Sequence, residues 1–348
     1  MIKLQGCADA IGRVYGGTCR EPILSNLKEL VDRQGYEPLP RRDRDFQAWV
    51  RGQEALIGQH WPWLLEEMRG VAAGCGAVYE DILLLNLRAW QYDYYGKPPG
   101  VSCSSVAITL ADGTVACAGA LDDPRKYYCG PVHVAPDRGH RFITFPISGT
   151  SWGNRGMNSA GLVTGISSQL LPGLKRLPHA VNQDLALRVI LQTCATVGEV
   201  REFCREFPFT MNLVCVDARG GLFCAQQTAA GLFELPVTDG WCALTNHVAD
   251  DGIMRRLAEL GVKEFPESPT TRARRGRLIE FCRARSRACP AEEVRKLIGR
   301  RDDADPGTIH NKGTIAITFA VPQADPLTLR VALPDGREAN PGFTALSI

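Results

Sequence analysis

Three features of the sequence predict an α+β fold, with antiparallel sheet packed against helices behind a helical N-terminal segment. Residues 20–97 are patterned for helix, whereas the chain from Gly100 onward breaks into short runs rich in β-branched and small residues. Lys97-Pro98-Pro99-Gly100 lies between the two and interrupts regular structure. Beyond it come consecutive strands, then helices, then strands again, which is not the βαβ alternation of a parallel sheet. Within the helical part, Trp63–Gly74 has apolar residues at helical spacing and stops at glycine. A second helix opens at Tyr79-Glu80-Asp81, where two carboxylates suit the positive end of the helix dipole, and runs to Trp90. Strands are expected at Arg141–Ile147 and, as a strand-turn-strand, within Gly156–Ile166. Residues 182–206 read as amphipathic helix, followed by strands at Leu213–Val216, Leu222–Ala225 and Trp241–Leu244. A basic helix spans Thr271–Arg285, and Pro290-Ala291-Glu292-Glu293 opens another with proline in the first turn. Strands at Thr314–Val321 and Thr328–Ala332 close the pattern.

The chain has 348 residues, room for one large domain or two ordinary ones. A net charge of +2 gives no electrostatic case for nucleic acid or an anionic membrane. No apolar run approaches the ~20 residues needed to span a bilayer, and Met1–Cys7 has no apolar signal core. The thirteen cysteines are odd in number, show no C-x-x-C spacing and are scattered through apolar runs. They read as reduced, buried thiols of a cytoplasmic protein, with no metal site among them.

The richest stretch is Gly100–Asp122, in which two strand-like runs flank Asp112-Gly113. Asp-Gly between apolar runs marks a hairpin, because a two-residue turn needs positive φ at its centre. Such a turn sets Ala111 opposite Thr114 and, counting outward, Cys103 opposite Asp122. Cys103, Ser105, Ala107, Ala116, Ala118 and Ala120 then share one face, while Val106, Ile108, Leu110, Val115, Cys117 and Leu121 form the core face. A cysteine at a strand start, just after Pro-Pro-Gly-Val-Ser, is a candidate nucleophile. A carboxylate beside it raises the thiol pKa, so this pairing calls for a nearby cation, an α-ammonium or an arginine.

Several motifs in order resemble the acyl-CoA:6-aminopenicillanic acid acyltransferase family of autoproteolytic cysteine enzymes, members of the N-terminal nucleophile (Ntn) hydrolase class. They are Glu67–Gly76 with Tyr79–Asn86, Cys103-Ser104-Ser105, Asp122, Gly156-Met157-Asn158-Ser159-Ala160-Gly161-Leu162, Thr245-Asn246-His247, Thr271-Arg272 with Arg275, and Thr308-Ile309-His310 before Thr314–Phe319. The resemblance runs from about residue 20 to the end. Ser102 stands where the family usually has glycine, Ala120-Leu121 where it has Asn-Trp before the aspartate, and Asp302-Asp303 where many members have Asp-His. The acyl specificity of relatives is therefore not carried over.

The resemblance implies an αββα four-layer sandwich of Ntn-hydrolase type, with 1–102 as a helical segment released by self-cleavage and 103–348 as the catalytic core. It implies cleavage between Ser102 and Cys103, after which the freed α-amine, with a pKa near 7.7–8.0, serves as base for its own thiol. Asp122 would hold the ammonium, and Asn246 would donate to the oxyanion. Ser105 and Asn158 are candidate substrate contacts, with Arg272 for a substrate carboxylate or for support of Asp122. Each also has a plain structural explanation: Asn246 and Asn158 as turn residues, Arg272 as part of a solvated helix face. The expected partners are a small-molecule acyl donor, an amine or water as acceptor, and the chain's own cleaved N-terminal segment. No cofactor or metal is called for, and acyl-CoA or a carrier-protein thioester would enter as substrate. Two alternatives stay open: an uncleaved thiol enzyme using a Cys103–His247 dyad, and a binding protein that keeps the fold without catalysis.

Overall fold

The computed structural model describes residues 1–32, 43–88, 102–169, 180–237, 239–262, 270–285, 287–335 and 340–348. Two sheets face one another at its centre. One has eight strands in the order β1-β4-β5-β6-β7-β8-β9-β10: β1 Ile2–Gly6, β4 Val132–Pro136, β5 Phe142–Thr144, β6 Gly156–Asn158, β7 Val163–Ser167, β8 Met211–Val216, β9 Leu222–Thr228 and β10 Gly231–Glu234. The other has six in the order β11-β2-β3-β12-β13-β14: β11 Trp241–Leu244, β2 Ser104–Thr109, β3 Val115–Asp122, β12 Thr314–Ala320, β13 Thr328–Ala332 and β14 Thr344–Ser347. Neighbouring strands are antiparallel, except that β1 runs parallel to β4.

The period-2 alternation of side chains sorts each strand between two cores. Val115, Cys117 and Leu121 of β3 meet Ile143, Val163, Val214 and Val216 of the larger sheet in the layer between the sheets. Ala116, Ala118 and Ala120 point the other way. There they pack with Leu278 and Cys282 of α9 (Thr271–Arg285) and Val294 and Ile298 of α10 (Ala291–Gly299). The outer face of the larger sheet, with Phe142, Leu213 and Phe223, is covered by α1 (Ala8–Thr18), α2 (Arg20–Asn26), α3 (Arg44–His60), α4 (Pro62–Cys75), α5 (Tyr79–Asn86), α6 (Gln183–Thr193) and α7 (Val197–Glu206). A smaller helix, α8 (Asp251–Glu259), packs apart from these through Ile253 and Leu257. The layer order is therefore helix, sheet, sheet, helix: an αββα sandwich of the α+β class.

Three sequence expectations are corrected. The β2–β3 turn has three residues, not two. Leu110 and Thr114 close it, with Gly113 N donating to Leu110 O at 3.0 Å and Gly113 at φ +83°. A type I turn ending in a left-handed glycine needs one residue more than the two-residue turn read from Asp-Gly alone. The register therefore slips by one: Ser104 faces Ala120 and Ser105 faces Gly119. Cys117, Val115 and Leu121 accordingly share the inter-sheet face with Cys103 and Ala107, while Ala116, Ala118 and Ala120 take the helix side. Second, the amphipathic stretch 182–206 is two helices. Thr196 begins the second with a capping box, its hydroxyl accepting from Glu199 N while the Glu199 carboxylate accepts from Thr196 N. Third, the N-terminal part is not all helix. Its first residues, Ile2–Gly6, supply an edge strand of the large sheet, and its helices pack on that sheet within one continuous core.

Candidate active site

Cys103 immediately precedes β2, where the strand emerges between the sheets. It is 2% exposed, and its Sγ donates to Asp122 O at 3.9 Å. Continuing the observed register past Ser104–Ala120, Asp122 falls opposite Ser102 rather than Cys103. Alternation then puts the Asp122 carboxylate on the face away from the thiol, beside the Ser102–Cys103 peptide. There it accepts from Thr314 Oγ1 at 2.5 Å and Asn311 Nδ2 at 2.6 Å. Both donors are neutral. Burial pushes the carboxyl up to about 6, against the pull of the Thr314 hydroxyl and the Arg274 charge. Burial, aided by the Asp122 charge, likewise pushes the Cys103 thiol up to about 12.

Two buried guanidinium groups flank this pair. Arg274, in the first turn of α9 and 1% exposed, donates from Nη1 to Cys103 O at 2.6 Å and Ser104 Oγ at 2.7 Å. Its Nη2 donates to Asn246 Oδ1 at 3.0 Å. Asn246 follows β11, and its Nδ2 donates to Ser168 O at 2.9 Å. The guanidinium only donates and the carbonyl only accepts, so the amide orientation is set, and among the described residues one Nδ2 proton is left over for a ligand. Arg155, 1% exposed, lies between the sheets. Its Nη2 is in donating distance of Ser104 O (2.8 Å), Ser105 Oγ (3.0 Å), Ile166 O (2.9 Å) and Ala120 O (3.2 Å). Its Nε and Nη1 are buried without a hydrogen-bond partner among the described residues. Gly119 makes the room: a Cβ there would lie 2.6 Å from Arg155 Nη1 and 2.0 Å from Ser104 O. Burial lowers the pKa of both arginines, while the Cys103 and Asp122 groups act to raise it.

The remaining candidates sort by what they touch. Ser105 Oγ donates to Ile166 O at 3.0 Å and accepts from Arg155, so it ties the sheets together and is not open to a substrate. Asn158 is also corrected. Its Nδ2 donates to Leu191 O and Cys194 O, and its Oδ1 accepts from Ala160 N and Leu162 N, which uses the whole amide within the β6–β7 turn and its neighbours. Arg272 is exposed on α9, and Arg274 is the side chain of that helix that reaches the site. Helical phase carried this signal: Thr271, Arg274, Leu278 and Cys282 are the buried positions of α9, spaced by three and four. His247 Nδ1 lies 3.1 Å from Thr271 Oγ1 and 3.3 Å from Thr245 Oγ1, whereas the thiol's hydrogen bond goes to Asp122. Arg155, Asn311 and Thr314 were not singled out in the sequence. No local pattern marks them, because each reaches the site from a distant segment.

Cys103 opens on a cavity of about 50 Å³ whose walls include Arg88, Asp123, Tyr128, Trp152 and Asp184. A second hollow, of about 300 Å³, lies on the Ser102 side, lined by Asp122, Asn311 and Thr314 among others. The thiol of the nucleophile candidate thus faces the first cavity, and the second hollow lies on the other side of the Ser102–Cys103 peptide.

Residues 123–274 match the model of the family described as acyl-coenzyme A:6-aminopenicillanic acid acyl-transferase. The chain is similar to this acyl-transferase family. The match begins one residue after Asp122 and ends at Arg274, so it includes Arg155, Asn246 and Arg274 but not the Cys103 strand. An uncharacterized protein of Archaeoglobus fulgidus is 27% identical over 248 residues, 63% of this chain and 39% of that protein. The chain thus spans well under half the length of that relative. Among solved structures, a variant of the conjugated bile acid hydrolase from Clostridium perfringens is 11% identical, covering 70% of this chain and 92% of that one at a TM-score of 0.45. The Caenorhabditis elegans N-acylethanolamine-hydrolyzing acid amidase orthologue is 13% identical, covering 65% and 95% at 0.46. Penicillin V acylase from Agrobacterium tumefaciens is 14% identical, covering 71% and 86% at 0.43. Among the described residues no helix is long and apolar enough to cross a membrane, and no cluster of side chains could hold a metal.

Proposed function

We propose that this chain is a cysteine-nucleophile acyltransferase or amidohydrolase that works through an acyl–Cys103 thioester, formed after the chain cuts itself between Ser102 and Cys103. One observation carries the reading. Arg274 bonds both to the carbonyl of Cys103 and to the side chain of Asn246, which couples the nucleophile candidate to the oxyanion-donor candidate in a buried network. The acyl-transferase family match over residues 123–274 supports the same chemistry.

In the first step the Cys103 sulfur attacks the Ser102 carbonyl carbon, the C–N bond breaks, and the Ser102 acyl group passes to sulfur. Water then hydrolyses that thioester and leaves Cys103 with a free α-amine. A thiol near pKa 12 is almost wholly protonated at pH 7, and ionising it there costs about 7 kcal/mol. An α-amine of pKa ~7.7–8.0 at the same residue is a base matched to neutral pH. Asp122, whose carboxylate accepts only from neutral donors among the described residues, would hold the new ammonium. In turnover the α-amine takes the thiol proton as the sulfur attacks the carbonyl of an amide or thioester, and the Nδ2 group of Asn246 donates to the oxyanion. The C–N or C–S bond breaks to expel the donor's amine or thiol with that proton, and an amine or water then takes the acyl group from sulfur and frees the thiol. A donor of this kind contributes ~2.7–4 kcal/mol. A small-molecule acyl donor, retention of the 1–102 segment as a separate chain, and a cytoplasmic setting belong to the same proposal.

The test is Cys103→Ala with intact-mass measurement. The parent should run as two fragments split at 102/103. The variant should remain one 38.1 kDa chain and show no turnover, and an acyl label from a thiol-directed probe should be found on the peptide holding residue 103 in the parent alone, the other free cysteines labelling alike in both. Full turnover by the variant would overturn the mechanism.

A further inference from the structure

The cavity at Cys103 contains acidity that the steps above leave unused. Asp123, at the end of β3, and Asp184, in the first turn of α6, face it from separate elements, with Arg88 just beyond α5. Asp123 accepts the Tyr128 hydroxyl on Oδ2 at 2.7 Å, while its Oδ1 is buried with no hydrogen-bond partner among the described residues. Asp184 is 8% exposed, and the neighbouring Gln183 side chain acts to lower its carboxyl pKa against the larger effect of burial. Arg88, 9% exposed, attracts both carboxyls electrostatically, but its Nε is unpartnered and it makes no ion pair with either among the described residues. The lining holds the carboxyls of Asp123 and Asp184, together with that of Asp122, against the Arg88 guanidinium, which puts negative charge in excess. Burial disfavours that charge, raising both carboxyls, Asp184 to about 7. A buried site with spare acceptors and excess negative charge is completed by a cationic donor.

Beside those acceptors the walls carry apolar Leu121, Ile147, Trp152 and Ile166, with Asn154 and Ser168 among the polar remainder. A water needs roughly 10–15 Å³ on this measure, so about 50 Å³ admits only a few heavy atoms next to the sulfur. We propose that this cavity receives a protonated amino group on the acyl part of the substrate, so that the group carried by Cys103 is a short amino-acyl group. The ammonium would donate to Asp123 Oδ1 and to the Asp184 carboxylate, with the carbon skeleton on Leu121 and Ile147. This rests on the acyl–Cys103 reading and narrows its substrate class.

The experiment compares two thioesters of N-acetylcysteamine, alanyl and propionyl, which differ by one ammonium group. Acylation of Cys103 in the processed protein is followed by peptide mapping of the residue 103 peptide, which separates it from the other free cysteines, and each rate is divided by that of the same thioester with free cysteine at the same pH. That division removes the intrinsic activation of the alanyl ester. The alanyl compound should then be favoured at least tenfold. Asp184→Asn and Asp123→Asn should each bring the ratio toward one, and because they lie on different elements, one misfolded variant leaves the other as the test. Equal corrected rates for the two thioesters, or a preference that survives both substitutions, overturns the proposal. Acylation by neither compound overturns the acyl–Cys103 reading itself and this proposal with it, so the two failures are told apart.

Discussion

Arg274→Lys separates charge from geometry at the site. The lysine keeps a positive charge near Asp122 and Cys103, but a single ammonium on a flexible stem cannot reproduce the fork that reaches Cys103 O, Ser104 Oγ and Asn246 Oδ1 together. Losing one or two charge-assisted hydrogen bonds costs about 1.5–3 kcal/mol each. Once Asn246 Oδ1 is released, its side-chain amide is held among the described residues through Nδ2 and Ser168 O alone, and the proposed oxyanion donor loses its aim. Removing such a donor lowers turnover by roughly 10²–10³-fold. The expected result is therefore a fall in kcat of about 10²-fold with KM changed less than about threefold, since the bond matters when charge develops on oxygen. Steady-state kinetics on the processed protein gives both constants, and intact mass gives the rate of self-cleavage. Arg272→Ala, on the exposed side of the same helix, serves as the control and should stay within about twofold of the parent. A lysine variant with kcat within threefold of the parent would refute the coupling of Cys103 to Asn246 through this guanidinium.

Three further outcomes follow from the same geometry. Asp122→Asn should abolish turnover, and in the uncleaved Cys103→Ala background, where no α-ammonium meets the carboxylate, it should stabilise the fold at pH 8. A carboxyl held near 6 against an ordinary 3.8 disfavours the folded state by about 3 kcal/mol above pH 6, an effect that fades as pH falls toward 4, so thermal melts at pH 8 and pH 4 should show the gain only at the former. Asn158→Ala should lower the melting temperature, by on the order of 2–4 kcal/mol of stability, while leaving KM alone; a raised KM at parental stability would restore it as a substrate contact. Cys129, half-buried and lowered in pKa by the Cys19 thiol and the Ser148 hydroxyl, should react with iodoacetamide at pH 7.5 well ahead of the buried Cys103 in the uncleaved chain, as peptide mapping would show.

Local pattern was enough for the strands Trp241–Leu244 and Thr328–Ala332 and the helix Thr271–Arg285, because each has a period and an end signal within its own few residues. The hairpin that presents Cys103 was legible as a hairpin, but its register was not. Asp-Gly fits a two-residue turn and a three-residue turn ending in glycine equally well, and one residue of slip reverses which face each side chain takes. Strand β1 was missed for a related reason: five residues at the start of the chain, with only Leu4 fully buried, become a strand by pairing with β4, far along the chain.

At the site the same division holds. Cys103, Asp122 and Asn246 stand out by residue type beside recognisable turns and strands, so sequence alone could nominate them. Arg155 could not be nominated, since its meaning comes from Gly119 and the carbonyls of Ser104, Ala120 and Ile166, brought together only when the two sheets stack. Arg274 lies between these cases, favoured over Arg272 by helical phase and identified by its contact with Cys103 O. The sequence by itself determined most of the elements and nominated the candidate nucleophile, because hydrophobic period and thiol chemistry are local properties. Which cations surround that atom, and which face the carboxylate takes, were decided by tertiary structure, since burial and hydrogen-bond partners exist only after distant segments have packed.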